Sequence, residues 1–285
     1  MQDLPDVQDA PPAGAATWEV LRTYASDQLA RAMDCLSWRG ARLHKGVHQG
    51  RKSLRRTRAV LALAKPALGA GARLIDRELR RINRSLSTLR DAQALVETLD
   101  RLAKHNPPDA SQGLLRQARR AAVSRRTAQA REALKDDADF AGRRAQLAVL
   151  AAGLQTLPWA VIDRDVEASL RKSAAQAIAA SEQAQKSGDN DDWHRWRRRA
   201  RRLSQQYRAL GDVAAALAAD RDRDKALAEL LGEAQDYALL IDHCGGDSPF
   251  DDAIRKDLRK FARKHAKQVR ARIARTADTS RSADT

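Results

Sequence analysis

Aromatic residues, cysteine, glycine and proline are all scarce in this sequence. Aromatic side chains make up 4% of the 285 residues, and the chain contains 14 glycines, 8 prolines and 2 cysteines. Cys35 and Cys244 are too few and too far apart for a disulfide framework, and neither has a nearby second cysteine to complete a metal-binding knuckle. The pair fits a reducing compartment, so we expect a cytoplasmic protein.

Long apolar segments are also missing. No stretch approaches the roughly 18 consecutive apolar residues that a membrane-spanning helix needs. Met1 to Ala16 contains three aspartates and several prolines, but neither the basic start nor the apolar run of a secretory signal. We expect no membrane partner, and we expect Met1 to Ala16 and Thr276 to Thr285 to be disordered tails.

Positive charge and helix-forming residues dominate what is present. Lysine and arginine number 53 against 37 aspartates and glutamates, a formal net charge of +16. An acidic partner is therefore the first expectation. Alanine, leucine, arginine, glutamine and glutamate fill the segments between the few glycines and prolines, and no segment alternates as a strand does. The sequence predicts an all-α protein.

Apolar residues recur at helical spacing in nine segments. The segments are 18–37, 45–64, 73–104, 111–135, 143–155, 162–187, 191–210, 213–243 and 251–275. One break is expected from Lys65-Pro66 through Gly71. All the breaks are short, and short connections favour antiparallel neighbours. We therefore predict two up-and-down four-helix bundles, residues 17–157 and 158–275, divided near Pro158.

Two short motifs recur at nearly the same distance along the chain. The segment HQGRKSLRR at 48–56 is matched by HRWRRRARR at 194–202, which is 146 residues later. LSTLRD at 86–91 is matched by LGEAQD at 231–236, which is 145 residues later. Chance could produce either match in an arginine-rich chain, but the shared spacing is much harder to obtain by accident. We interpret the chain as two homologous halves related by a pseudo-two-fold axis.

Each copy of the first motif places basic residues beside the core-facing side of a helix. In both copies, helical geometry separates an apolar stripe from an adjacent basic arc. Aligned like charges destabilise an isolated helix, so a bound polyanion would neutralise them. Arginine suits this role, because its planar fork stays charged and binds phosphate oxygens in pairs. The predicted binding residues are His48, Arg51, Lys52, Arg55, Arg56 and Arg58, and in the second copy His194, Arg197, Arg198, Arg201, Arg202 and Arg208.

Further basic residues recur at helical spacing elsewhere. They fit a wider ligand groove and plain solvated surface equally well, since a run of charges is usually solvated. Solvation explains the two arcs less well, because it accounts neither for their duplication nor for their position beside the core. His48 and His194 stay open between a contact with phosphate and a structural bond to the helix backbone. The further candidates are His44, Arg77, Arg81, Arg84, Arg116, Arg119, Arg120, Arg255, Arg259 and Arg263.

Nucleic acid is the rival ligand, and phosphate hydrolysis is the rival activity. Proteins that bind single strands place aromatic side chains among the basic ones, whereas Trp193, Trp196 and Tyr207 lie on the apolar stripe. Nucleic acid is therefore expected only as a competing polyanion. Phosphoryl transfer needs clustered carboxylates or a glycine-rich loop, and neither is visible. His44 and His48 lack the adjacent glutamate and third ligand of a zinc site. We expect a non-enzymatic protein with no metal and no cofactor.

These motifs resemble the CHAD domain, the conserved histidine α-helical domain. The resemblance covers about residues 17 to 275, and it implies two four-helix bundles related by pseudo-symmetry. It also implies binding of inorganic polyphosphate in a basic groove, and association with bacterial polyphosphate granules. It rests on His48 with Arg51-Lys52 and Arg55-Arg56, on the copy of this pattern that starts at His194, and on the pairs Arg90-Asp91 and Gln235-Asp236.

The resemblance also implies which residues face the groove and that the chain binds its ligand without a partner catalytic domain. CHAD domains often follow a CYTH triphosphatase domain, whose ExExK motif does not occur in this sequence, and the resemblance thus implies a stand-alone binder. Gln235 stands where the first half has Arg90, so the groove is expected to be lopsided. The residues implied to face it are His48, Arg51, Lys52, Arg55 and Arg56, with His194, Arg197, Arg198, Arg201 and Arg202.

Overall fold

The computed structural model describes residues 16–104, 109–160, 163–211 and 221–282, and within them it contains ten α-helices and no strand. The all-α prediction is confirmed. Two short 3-10 turns, Gly40–Arg42 and Ala138–Phe140, precede α2 and α6. The helices are α1 Thr17–Leu36, α2 Leu43–Leu63, α3 Lys65–Ser85, α4 Ser87–Lys104, α5 Asp109–Asp136, α6 Ala141–Gln155, α7 Asp163–Ser187, α8 Asn190–Leu210, α9 Arg221–His243 and α10 Asp252–Ser282.

The predicted single helix over 73–104 is wrong, because the chain turns at Leu86 between α3 and α4. The buried Leu86 side chain continues the apolar stripe across the turn, so apolar spacing alone does not reveal the break. The break expected from Lys65 to Gly71 is also shorter than predicted. Pro66 lies in the first turn of α3, where its missing N–H costs no hydrogen bond. Only Gly69 departs from helical geometry, at a φ of 64°.

The ends of two other predicted segments differ from the structure. The segment expected over 213–243 corresponds to α9, which begins at Arg221, and residues 212–220 lie outside the described residues. The last helix was expected to end at residue 275, but α10 continues to Ser282. Residues 1–15 of the expected first tail lie outside the described residues. None of the described helices is long and apolar enough to cross a membrane.

Four helices meet at the centre of the protein. α2 packs against α8, α4 packs against α9, and α8 also packs against α9. Two glycines allow α1 to approach α2 closely: a Cβ on Gly46 would lie 2.2 Å from the Cys35 carbonyl oxygen, and one on Gly50 would lie 3.2 Å from Leu36. This contact buries one side of α2 against α1 and leaves a different side of α2 for the basic residues.

Buried apolar side chains form two clusters. The first joins α1, α2, α3 and α6, and the second joins α4, α5, α9 and α10. α4, α7 and α8 contribute to both. Leu89, Leu170 and Leu203 belong to the first cluster, while Leu95, Ala184 and Trp196 belong to the second. Both clusters therefore contain residues from either side of Pro158, and the predicted division into two bundles at that residue stays a prediction.

Candidate functional site

Five arginines from three of the central helices lie close enough to influence one another electrostatically. They form what we call the arginine cluster: Arg51 and Arg55 on α2, Arg90 on α4, and Arg197 and Arg201 on α8. The first repeat therefore brings its two central arginines to those of the second. Because α2 packs against α8, two arginines from each sequence-predicted arc meet in one site.

Arg55 is the most electrostatically unfavourable member of the arginine cluster. Burial, followed by the charges of Arg201, Arg51, Arg197 and Arg90, lowers the pKa of the Arg55 guanidinium well below its usual range. Its Nε is buried without a hydrogen-bond partner. In the free protein, a positive charge at this position is therefore held among other positive charges, an arrangement that a bound anion would relieve.

Arg197 has a similar environment on α8. Burial and then Arg201 lower the pKa of Arg197 to about 9, against the opposing effect of Asp236. The Asp236 carboxylate is itself 2.5 Å from a guanidinium nitrogen of Arg101, so part of its charge is already paired. Asp91 also acts on the arginine cluster, through Arg51 and Arg197, and Glu97 pairs with Arg90. The cluster therefore keeps an excess of positive charge.

Arg51 also has a structural bond. Its Nη1 donates a hydrogen bond to the Leu86 carbonyl oxygen at 2.9 Å, at the turn between α3 and α4. The Arg51 carbonyl oxygen accepts a hydrogen bond from Asn83 Nδ2 at 3.2 Å. These two bonds fix the start of α4, and with it Arg90, relative to α2.

A cleft of about 600 Å³ lies beside the arginine cluster. We call it the His48 cleft, because His48 lines it and is also influenced by Arg90 and Arg55 of the cluster. Burial and then Arg90 lower the pKa of His48 to about 4, while burial and then Arg126 lower the pKa of His44. Both imidazoles are therefore neutral at pH 7. The cleft is lined by Gly40, Ala41, His44, Lys45, His48, Gln49, Gln93, Glu97 and Arg126.

A chain of hydrogen bonds connects the His48 cleft to the arginine cluster. Arg126 Nη1 donates to Gln93 Oε1 at 3.0 Å, and Gln93 Nε2 donates to Glu97 Oε1 at 3.1 Å. The other Glu97 oxygen accepts from Arg90 Nη1 at 2.9 Å. This chain places one carboxylate between two arginines, at the boundary between the cleft and the cluster.

A second, much smaller cavity lies beside His194. This His194 cavity has a volume of about 20 Å³. His194 Nδ1 and Gln235 Oε1 are hydrogen-bonded at 2.7 Å. Four pairs of lining residues keep the spacing of the sequence repeat, at 144 to 146 positions: His44 with Asn190, His48 with His194, Gln93 with Ala238, and Arg126 with Arg270. The cavities therefore occupy corresponding places in the two halves of the sequence.

The other predicted arc residues lie apart from the arginine cluster or beside it. Arg56 is 3% exposed and donates to Gln28 Oε1 of α1 at 3.3 Å, so it belongs to the α1–α2 contact. Arg58 pairs with Asp76 of α3 at 2.7 Å. Arg202 directly follows Arg201, but its strongest electrostatic interactions are with Arg199, Arg58 and Asp76. Lys52 lies beside His48, and Arg208 lies in the last turn of α8.

The wider set of basic candidates is dispersed over other helices. Arg81 binds Glu78 at 2.8 Å and Gln146 at 3.0 Å, and the exposed Arg77 is 3.8 Å from Glu78. Arg119 pairs with Asp100, Arg255 pairs with Asp252, and Arg259 donates to the Cys244 carbonyl. Of this set, only His44 lines the His48 cleft. The remaining candidates are exposed: Arg84, Arg116, Arg120 and Arg263.

Several residues of the site do not belong to the predicted arcs. Arg90 and Gln235 occupy the same position of the second repeat motif, which was the available signal for them. Gln93, Glu97 and Arg126 have no such signal, because only the packing of α4 and α5 brings them to the cleft. Among the described residues, no group of three or more His, Cys, Asp or Glu could hold a metal ion.

The chain is similar to known proteins in both sequence and fold. The profile of the CHAD domain matches residues 18–245. The crystal structure of the CHAD domain from the plant Ricinus communis superposes with a TM-score of 0.65 at 17% identity, covering 91% of this chain and 92% of that one. PptA from Streptomyces chartreusis superposes with a TM-score of 0.61 at 17% identity, covering 93% and 100%. No curated protein has a matching sequence. The match to the domain profile spans most of the chain, and the protein therefore belongs to the CHAD domain family.

Proposed function

We propose that this protein is a non-enzymatic binder of inorganic polyphosphate, with the arginine cluster at the centre of the binding site. The observation that carries the proposal is the environment of Arg55, a buried guanidinium whose electrostatic neighbours are four other guanidinium groups. The repulsion between these charges is unfavourable in the free protein. A bound chain of phosphates would offset it, because its negative charges would lie among the arginines. The CHAD family is associated with polyphosphate binding, which points to the same ligand.

The two halves of the sequence contribute matching parts of this site. Arg51 corresponds to Arg197, and Arg55 corresponds to Arg201, each pair 146 positions apart. We propose that the halves are related by a pseudo-two-fold axis through the arginine cluster. A linear, repetitive anion suits such a site, because successive phosphates present the same oxygens to each half.

The chemistry of the site supports polyphosphate over the two rivals. No Phe, Tyr or Trp lines the His48 cleft, so the large aromatic rings on which single-strand binders stack bases are missing there, and only the imidazoles of His44 and His48 are available. Trp193 lines the His194 cavity but is 9% exposed and packs against Trp196 at 5.2 Å between ring centroids. Asp91 and Asp236 lie among arginines, where they balance charge in place of holding magnesium. We therefore propose binding without hydrolysis, and recruitment to polyphosphate granules.

Calorimetric titration with long-chain polyphosphate tests the proposal. The double variant Arg55→Ala with Arg201→Ala removes one central arginine from each half, and we expect its affinity to fall at least about 100-fold, since each charge-assisted contact contributes about 1.5–3 kcal/mol. The matched control is Arg77→Ala with Arg81→Ala, which removes two arginines from the exposed side of α3 and is expected to change affinity less than about threefold.

Two further outcomes would overturn the assignment of ligand and activity. Release of inorganic phosphate from polyphosphate in the presence of magnesium would show that the protein is an enzyme. Stoichiometric displacement of polyphosphate by DNA or RNA at physiological salt would make nucleic acid the preferred polyanion. We expect no phosphate release, and only partial displacement at a large excess of nucleic acid.

A further inference from the structure

The His48 cleft differs chemically from the arginine cluster that it adjoins. The cluster offers hydrogen-bond donors, whereas the cleft also offers acceptors. Its Glu97 carboxylate is 42% exposed, and Gln49 and Gln93 carry amide oxygens as well as N–H groups. Lys45 and Arg126 are its two cations. A ligand group that fills the cleft must therefore bring hydrogen-bond donors as well as anionic oxygens.

Glu97 limits which part of a phosphate chain fits there. An interior phosphate has no hydrogen to donate at neutral pH, so a carboxylate beside it is repulsive. A chain end is different. A terminal phosphate has a second ionisation near neutral pH, with a pKa of about 6 for a phosphate ester, and it still carries a hydroxyl part of the time. A nucleoside polyphosphate ends in ribose hydroxyls. Both kinds of end present a hydroxyl donor next to a phosphate.

The two histidines of the cleft complement such a group. Nδ1 of His44 and Nδ1 of His48 are buried without a hydrogen-bond partner. A neutral imidazole carries one ring hydrogen, and placing it on Nε2 avoids an unsatisfied buried donor. Nε2 is then the ring nitrogen that donates to a ligand. His44, His48, Arg51 and Arg55 follow one another along one face of α2, so the cleft continues the path of the arginine cluster.

We propose that the His48 cleft binds the end of the phosphate chain, with Glu97 accepting a hydrogen bond from a hydroxyl of the terminal group and His44 and His48 donating to its anionic oxygens. The chain then continues from the cleft into the arginine cluster. The inference rests on the proposed function and adds to it a preference for ends over interior phosphates.

The corresponding place in the other half does not provide a second end site. The His194 cavity holds only about 20 Å³, and Gln235 already occupies His194 Nδ1. Ala238 stands where the cleft has Gln93. An interior stretch of the chain leaves the site on this side, so one end of the polyanion is held and the rest extends beyond the site.

Competition between linear and cyclic phosphates tests the proposal. The probes are linear hexaphosphate and cyclic hexametaphosphate, which have the same number of phosphates but differ in having ends. Each end of the linear probe carries one extra ionisable oxygen, so affinities are compared at the same high salt concentration, where this charge difference is screened. The wild-type protein is expected to prefer the linear probe about tenfold. In Glu97→Gln the repulsion of interior phosphates disappears and the bond to the hydroxyl weakens, so the preference is expected to fall about five- to tenfold.

Two other variants separate this effect from general electrostatics and from misfolding. Glu78→Gln removes a carboxylate that also pairs with an arginine, Arg81, but lies on α3 away from the cleft, and it should leave the preference unchanged. Ala41→Phe introduces bulk from an exposed position that lines the cleft. It should reduce binding of the linear probe about tenfold, to the level of the cyclic one, without altering Glu97.

Adenosine tetraphosphate and linear tetraphosphate identify which kind of end is bound. Tighter binding of the nucleotide, lost in Glu97→Gln, assigns the ribose hydroxyls as donors, and the reverse assigns the terminal phosphate. Equal affinity of the wild-type protein for linear and cyclic hexaphosphate would overturn the end-binding proposal while leaving polyphosphate binding intact. Failure of long-chain polyphosphate itself to bind would overturn the proposed function as well.

Discussion

The His48 cleft and the His194 cavity occupy corresponding positions in the two repeats but differ about thirtyfold in volume, at about 600 and 20 Å³. The difference follows from individual residues. The first half has Arg90 where the second has Gln235, whose carboxamide bonds to His194. The central arginines, by contrast, are matched in the two halves. The two halves therefore share positive charge where α2 packs against α8, while the residues at the two ends of the site differ.

The largest effect that we expect is a loss of stability in acid, caused by His48 in the His48 cleft. The pKa of His48 is lowered from 6.5 to about 4, so the unfolded chain takes up this proton at higher pH than the folded protein does. The free energy of unfolding should therefore fall as pH decreases from about 6.5 to about 4, by up to about 3 kcal/mol from this residue. Urea denaturation of the wild type and His48→Gln across this range measures it. Parallel pH profiles of the two proteins would refute the role of His48.

Arg55 and Arg201 should behave alike, although they belong to different halves. Replacing Arg55 with methionine removes a buried charge whose largest electrostatic contributions come from other arginines, so we expect the free protein to become about 1–2 kcal/mol more stable. Arg201→Met should change stability in the same direction. Arg51→Met is the contrasting variant, because it loses the bond to the Leu86 carbonyl and should destabilise the protein. Thermal denaturation without ligand measures all three, and a lower midpoint for Arg55→Met would contradict the electrostatic account.

The hydrogen bond between His194 and Gln235, beside the His194 cavity, should stabilise the fold. Gln235→Ala leaves His194 Nδ1 without its partner, and we expect the free energy of unfolding to fall by about 1 kcal/mol. The corresponding change, Arg90→Ala, removes a cation from beside His48 and a partner from Glu97. Arg90→Ala should lower the free energy of unfolding less than Gln235→Ala does. It should lower the affinity for polyphosphate more. The reverse order in either measurement would break the comparison between the two ends.

Helical spacing and the sequence repeat were sufficient to predict much of this picture. The all-α fold followed from residue types and apolar spacing, and the duplicated motif identified the two helices whose arginines meet. The turn at Leu86 was not predictable, because the apolar stripe runs through it without a glycine or proline. Arg56 was predicted to bind the ligand together with Arg55, and only its contact with Gln28 of α1 shows that it faces the core. The cleft depends on Glu97 and Arg126, whose approach requires the packing of α4 and α5.

The salt dependence of polyphosphate binding counts the cations that contact the chain, and it shows whether both halves of the protein supply them. Arg51→Ala with Arg55→Ala removes two from the first half, and Arg197→Ala with Arg201→Ala removes the corresponding two from the second. We predict that each double variant lowers the slope of log affinity against log salt by about one to two, near 0.7–0.9 for each lost contact if the nucleic-acid rule transfers. The variant with all four substitutions should show the sum of both changes. A wild-type slope in either double variant would contradict a site built from both halves of the protein.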